Sequence, residues 1–116
     1  TREKGLSAER VAENFYLRDG YALVERNFRS RGGEIDLILW RDPELLVVEV
    51  KGRRRVWNDE AWAPRWRGKK LKILRTLHFF LSRKSPYYDL AEEIRFEIVF
   101  VTQGRVRERW MDEGFF

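Results

Sequence analysis

The chain has 116 residues, 43% of them apolar and 37% charged, and Lys plus Arg outnumber Asp plus Glu by 24 to 19 for a net charge of +5. That length suits one compact domain over residues 1–116. The absence of cysteine excludes disulfides and thiolate metal centres, and the single histidine, His78, excludes multi-histidine sites. No apolar run approaches the roughly 20 residues that cross a bilayer, and the polar start Thr1–Gly5 does not read as a signal peptide. No membrane partner is expected, and the cytoplasm is the expected location. The basic excess favours polyanionic partners, of which nucleic acids are the commonest.

In chain order, residues 6–19 read as a helix, because Ala8, Val11, Ala12, Phe15 and Tyr16 share one face of a 3.6-residue period. Asp19-Gly20 ends it, with Gly20 suited to a left-handed turn. On that wheel Glu9 borders the apolar stripe and Glu13 points out to solvent. Three strands follow over 21–28, 34–40 and 45–51. The last begins Leu45-Leu46-Val47-Val48, apolar on both faces as in a central strand. Residues 52–67 show no clean period. Helical spacing resumes over 68–83 through Leu71, Leu74, Leu77, His78 and Leu81, and Ser85-Pro86 breaks it. A strand over 95–102 turns at Gln103-Gly104 into a last strand over 105–110. The order predicts an α/β fold, a mixed sheet flanked by helices.

The chemistry concentrates in Gly33-Glu34-Ile35-Asp36-Leu37-Ile38 and Val48-Glu49-Val50-Lys51. Alternation puts Glu49 and Lys51 on one face of their strand, and antiparallel pairing across the short turn brings Asp36 toward Glu49. Two adjacent carboxylates raise each other's pKa, a cost that a divalent cation removes. Mg²⁺ or Mn²⁺ takes such oxygen ligands, here Asp36, Glu49 and the Val50 carbonyl. Lys51 then serves at the same place by orienting water or neutralising charge. The competing reading of Glu49 and Lys51 is a plain ion pair. Against it, the charges interrupt an apolar strand, where ionisable groups are uncommon. Glu9 is either a third carboxylate leaning toward the site or an ordinary surface Glu.

Gly5-x-x-Ala8-Glu9, Gly20-Tyr21, Glu25-Arg26-Asn27-Phe28-Arg29, Gly33–Ile38 and Val48–Lys51, in this order, resemble the YraN family of small bacterial proteins. That family is similar to the restriction-endonuclease-like superfamily and, within it, to archaeal Holliday-junction resolvases. The resemblance implies an αβββαβ core with a closing C-terminal hairpin strand, and Mg²⁺-dependent endonuclease hydrolysis of phosphodiester bonds in branched or flapped DNA. It places catalytic roles on Glu9, Asp36, Glu49 and Lys51, and matches Lys69 to a basic or amide residue that opens the second helix. Ile35 departs from the Pro common at its position, and 56–67 follows the family pattern poorly. Junction cleavage needs two active sites, so a homodimer is also an expectation.

Ten Lys or Arg lie between Lys51 and Arg75, interleaved with Trp57, Trp62 and Trp66. Arg53, Arg54, Lys69 and Lys70 are the expected nucleic-acid contacts, with the tryptophans either stacking on bases or covering the core. Trp40 and Trp110 read as packing residues, and His78 as a hydrogen-bonded core histidine. Two other functions fit the same residues: a nucleic-acid-binding adaptor with an idle site, and a protein-interaction domain using the Trp-rich loop.

Overall fold

The computed structural model describes residues 7–52, 59–83 and 85–112. Helix α1 spans Ala8–Arg18, followed by strands β1 (Ala22–Ser30), β2 (Gly33–Arg41) and β3 (Glu44–Lys51). Helices α2 (Asp59–Arg83) and α3 (Ser85–Leu90) lead to β4 (Glu93–Thr102) and β5 (Arg105–Asp112). The strands form one sheet in sequence order, β1-β2-β3-β4-β5. All neighbours are antiparallel except β3 and β4. A parallel pair needs a crossover, and the segment carrying α2 and α3 supplies it.

Both ends of α1 are written in its sequence. The Ser7 hydroxyl accepts the Arg10 N–H at 3.2 Å and caps the start. At the other end Gly20 takes a φ of +94°. Its N–H reaches the Leu17 carbonyl, and the Tyr21 N–H reaches that of Tyr16. This is a Schellman turn, closed by the edge-on contact of the Tyr16 and Tyr21 rings. At the far end of the chain Gln103 and Gly104 both have positive φ, as a two-residue turn between twisted antiparallel strands requires.

The sheet is covered on both faces. Ala12 and Tyr16 of α1 pack with Leu37, Leu39, Leu46, Val48, Val99 and Val101. Trp66, Ile73, Leu77 and Phe80 of α2 pack with Leu45, Val47, Phe96 and Ile98 on the opposite face. There α3 adds Tyr87, whose ring lies 5.1 Å from that of Trp40. The alternation of Leu45–Val48 between the two clusters confirms β3 as a central strand, and the αβββαβ order is present with β5 added. No helix of the described residues is long and apolar enough to cross a membrane.

Three expectations need correction, and the alternative left open for Trp66 is decided. Helix α2 begins at Asp59, inside the stretch that showed no period, and a second short helix follows the Ser85-Pro86 break, with Pro86 in its first turn, where the missing N–H costs little. His78 is exposed rather than a core histidine. Its neighbour Leu77 is the side chain that points inward, being fully buried. Glu13 is buried, not solvent-facing, because Arg26 on β1 grips both its oxygens at 3.0 and 2.9 Å. Trp66 covers the core, stacking 4.4 Å from Phe96 and donating its indole N–H to Asp112 at 2.7 Å.

A candidate carboxylate–lysine site

The site forms where β2 and β3 come apart beside α2. The pairing Leu37–Val48 is the last between these strands, and alternation fails at the next residue, Asp36. Ile35 belongs to the α2-side cluster, while Leu37 belongs to the α1-side cluster. Level with this irregularity on β1 stands Asn27, whose φ is +54°. Freed from the ladder, Asp36 uses its side chain instead: Oδ2 accepts the Val50 N–H at 2.8 Å. Glu49 and Lys51 follow Leu45 and Val47 onto the α2 face of β3.

Helix α2 meets them with Lys69, Lys72, Ile73 and Thr76, whose spacing puts them along one helical face. The β1–β2 turn is pressed against the same face. A methyl group built on Gly33, whose φ is +156°, would stand 3.2 Å from Thr76 Oγ1 and 3.5 Å from Lys72 Cβ. Gly33, Glu34, Asp36, Glu49, Lys69, Lys72 and Ile73 line an open cavity of about 230 Å³.

The two carboxylates have different surroundings. Burial pushes the Asp36 pKa up to about 6; the Val50 N–H works against this, while the charges of Glu49, Glu9 and Glu34 add to it. Glu49, only 9% exposed, is compensated by cations. Lys69 Nζ lies 2.6 Å from its Oε2, and Lys51 Nζ lies 3.1 Å from the same atom. Burial holds the Lys51 pKa below its ordinary value, with the neighbouring Lys69 ammonium adding to the effect. Burial also opposes the charge on Lys69, but its contacts with Glu49 outweigh this and raise its pKa.

Asp36, Glu49, Lys51 and Lys69 are therefore brought together. Glu9 sits in the first turn of α1, near enough for its charge to act on Asp36. That turn abuts the end of β3, since a methyl on Gly52 would stand 3.3 Å from Ala8 Cβ. Val50 meets Asp36 through its N–H. Lys70 is apart from this group and pairs with Asp112 at 3.2 Å. Arg53, Arg54 and Trp57 lie outside the described residues, as does the side chain of Trp62. Sequence reasoning missed Lys72 and Thr76, and quoted Gly33 without giving it a role. The spacing of Lys69, Lys72 and Thr76 carried a signal, but only an α2 docked on the β1–β2 turn gives it meaning.

Asp36 and Glu49 are the residues here that could hold a metal. Among the described residues no hydrogen bond reaches Asp36 Oδ1 or Glu49 Oε1. Those residues contain no group of three or more His, Asp or Glu placed to hold a metal. Further ligands would come from main chain, water or phosphate, the usual pattern for Mg²⁺.

A mixed sheet clasped between helices, with an acidic and basic site where two neighbouring strands separate, defines an α/β protein of αβββαβ order. The chain belongs to the uncharacterised protein family UPF0102, the YraN family, whose model matches residues 8–101. A UPF0102 protein of Saccharophagus degradans is 34% identical over 113 residues, covering 97% of this chain and 92% of the relative. A relative from Legionella pneumophila strain Philadelphia 1 is 32% identical, covering 99% and 96%. One from Helicobacter pylori strain P12 is 40% identical, covering 76% and 75%.

Proposed function

We propose that the protein is a Mg²⁺- or Mn²⁺-dependent endonuclease that hydrolyses phosphodiester bonds in DNA, with branched or flapped forms as the preferred substrates. The observation that carries this reading is the meeting of Asp36 and Glu49, from adjacent strands, in one cavity with Lys69, while Lys51 pairs with Glu49 beside it. Asp36 and Glu49 would hold the ion, and Glu9 adds negative charge behind Asp36. When bound, the ion supplies a polarised phosphoryl oxygen and a more acidic water. Lys51 and Lys69 present ammonium groups to the phosphate, where they offset the charge that develops on its oxygens. Lys72 extends that cationic lining along α2, and exposed Arg31 and Arg75 continue it on either side of Gly32. A nucleic-acid backbone would follow this lining to the carboxylates. Arg53 and Arg54, which follow β3 directly in sequence, would act on the same backbone, whereas Lys70 would have to leave Asp112 to do so.

The test is cleavage of branched, flapped, single-stranded and duplex DNA, with and without Mg²⁺ or Mn²⁺. Cleavage that needs the metal and disappears in Asp36→Asn and Glu49→Gln supports the proposal. Metal-independent cleavage, or cleavage retained in both variants, refutes it. The double engagement of Glu49 by lysines favours a second reading, a nucleic-acid-binding adaptor with an idle site. That reading predicts salt-dependent DNA binding with neither cleavage nor a thermal response to divalent ions.

A further inference from the structure

We propose that Lys69 is a resident counter-cation of the carboxylate pair. It neutralises Glu49 while no divalent ion is bound and transfers to a nucleic-acid phosphate when one binds, so that metal uptake and substrate binding reinforce each other. The inference rests on the endonuclease reading and adds to it a coupling between two ligands.

Three observations converge on Lys69. First, one oxygen of Glu49 has two ammonium groups, Lys69 at 2.6 Å and Lys51 at 3.1 Å. The two ammonium groups match Asp36 and Glu49 one for one. A divalent ion approaching Glu49 meets the repulsion of both until one ammonium withdraws. Second, the lysines differ in freedom. The Lys51 side chain is 17% exposed and projects from a central strand, whereas that of Lys69 is 43% exposed and reaches the cavity from α2. Lys69 is the one that can leave. Third, Lys69 shares the cavity lining with a second lysine of α2, Lys72, so a phosphate drawn to that lining would lie within reach of Lys69.

An ammonium that leaves Glu49 needs a new anion. A phosphate offers one, and a metal on Glu49 removes the old one. Each ligand therefore takes away a competitor of the other. By linkage, the factor by which DNA tightens metal binding equals that by which metal tightens DNA binding. The metal-free state gains by the same device: Glu49, nearly buried beside Asp36, is never left without a counter-charge.

The experiment is Mn²⁺ binding to the whole chain, read from the free-ion electron paramagnetic resonance signal. The proteins are wild type, Lys69→Met, Lys69→Arg and Lys72→Met. Lys72 lines the same cavity and controls for the general effect of a nearby positive charge. Removing the competitor in Lys69→Met is expected to tighten Mn²⁺ by roughly tenfold, and Lys72→Met by about twofold at most, because contact at ion-pair distance exceeds a screened field. Lys69→Arg keeps affinity low. A short DNA duplex tightens Mn²⁺ on the wild type and has little effect on Lys69→Met. Circular dichroism checks folding, and Lys69→Gln replaces the methionine variant if that variant does not fold. Equal shifts in Lys69→Met and Lys72→Met, or no tightening in Lys69→Met or its replacement, overturn the proposal while leaving a metal-binding site. Absence of Mn²⁺ binding in all the proteins overturns both the proposal and the metal-dependent reading beneath it.

Discussion

Asp36 and Glu49 stand in one cavity, yet their removal should change stability in opposite directions. Burial and three acidic neighbours raise the Asp36 pKa to about 6. In the unfolded chain an Asp titrates near ~3.9. The folded state thus binds this proton more tightly. Asp36 subtracts almost nothing below the unfolded pKa, progressively more from there up to about 6, and a constant amount above. Asp36→Asn keeps an oxygen for the Val50 N–H and removes the charge. It should stabilise the metal-free protein by about 2–3 kcal/mol near about pH 7.5 and by little near about pH 4. Urea melts at the two pH values check this, and equal stability at the higher one contradicts it. Glu49→Gln should do the reverse, because it leaves Lys51 and Lys69 facing each other. A loss of roughly 1–3 kcal/mol is expected, below the full cost of a broken buried pair because Lys69 is partly solvated. Read from sequence, Glu49 is either repelled by Asp36 or paired with Lys51, and the two readings give its removal opposite signs. Lys51 and, 20 residues away in sequence, Lys69 on one oxygen of Glu49 favour the costly sign.

Among the elements, the turn between β1 and β2 and helix α2 depend on each other. Gly33 lets the turn approach closely enough for the Thr76 hydroxyl to reach Ser30 Oγ at 3.4 Å while donating to the Lys72 carbonyl at 2.9 Å. Gly33→Ala should therefore displace the turn and destabilise the fold by about 1–2 kcal/mol, from both steric conflict and the positive φ. Thr76→Ala in the same chain should recover part of the loss. A double-mutant cycle measures it, and strict additivity would show that the contact does not matter. The elements differ in how legible they are. Helix α1 carries its period, cap and stop within its own residues, and β2 and β3 carry alternation or a continuous apolar run. The start of α2 contains Pro64 and Gly68, both poor helix formers, and is settled by tertiary packing through residues such as Trp66. Asp36, Glu49 and Lys51 are visible in the sequence because charges interrupt apolar strands. Lys69 could be matched only by resemblance, and nothing local distinguishes it from Lys70, whose partner is a residue at the other end of the chain. Glu13 illustrates the same limit: a helical wheel places it outside, and a long-range partner, Arg26, brings it inside.

Across the whole molecule the two faces of the sheet are joined to their helices by different means. The α2 face is secured mainly by aromatic and aliphatic packing. On the α1 face a polar cluster penetrates the contact: Glu97 of β4 is 3% exposed, accepts the Tyr16 hydroxyl, and is held through both oxygens by Arg109 of β5 at 3.2 and 3.1 Å. The Arg109 guanidinium also lies 5.2 Å over the Phe15 ring. One carboxylate thereby ties α1, β4 and β5 together, and α1 is the element that brings Glu9 toward Asp36. Removing Arg109 alone strands a buried charge with a single hydroxyl, so Arg109→Met should cost about 2–4 kcal/mol, reduced from the fully buried case because Arg109 is half solvated. Glu97→Gln combined with Arg109→Met should recover most of that loss, since an uncharged amide oxygen still accepts the Tyr16 hydroxyl and no charge is left uncompensated. The loss should also be uneven in space. Hydrogen exchange of Arg109→Met should accelerate first in α1 and β5 and last in β2 and β3, whose apolar contacts are untouched. If all elements accelerate together, or the double variant is no more stable than the single one, Glu97 is not the link that holds α1 to the sheet.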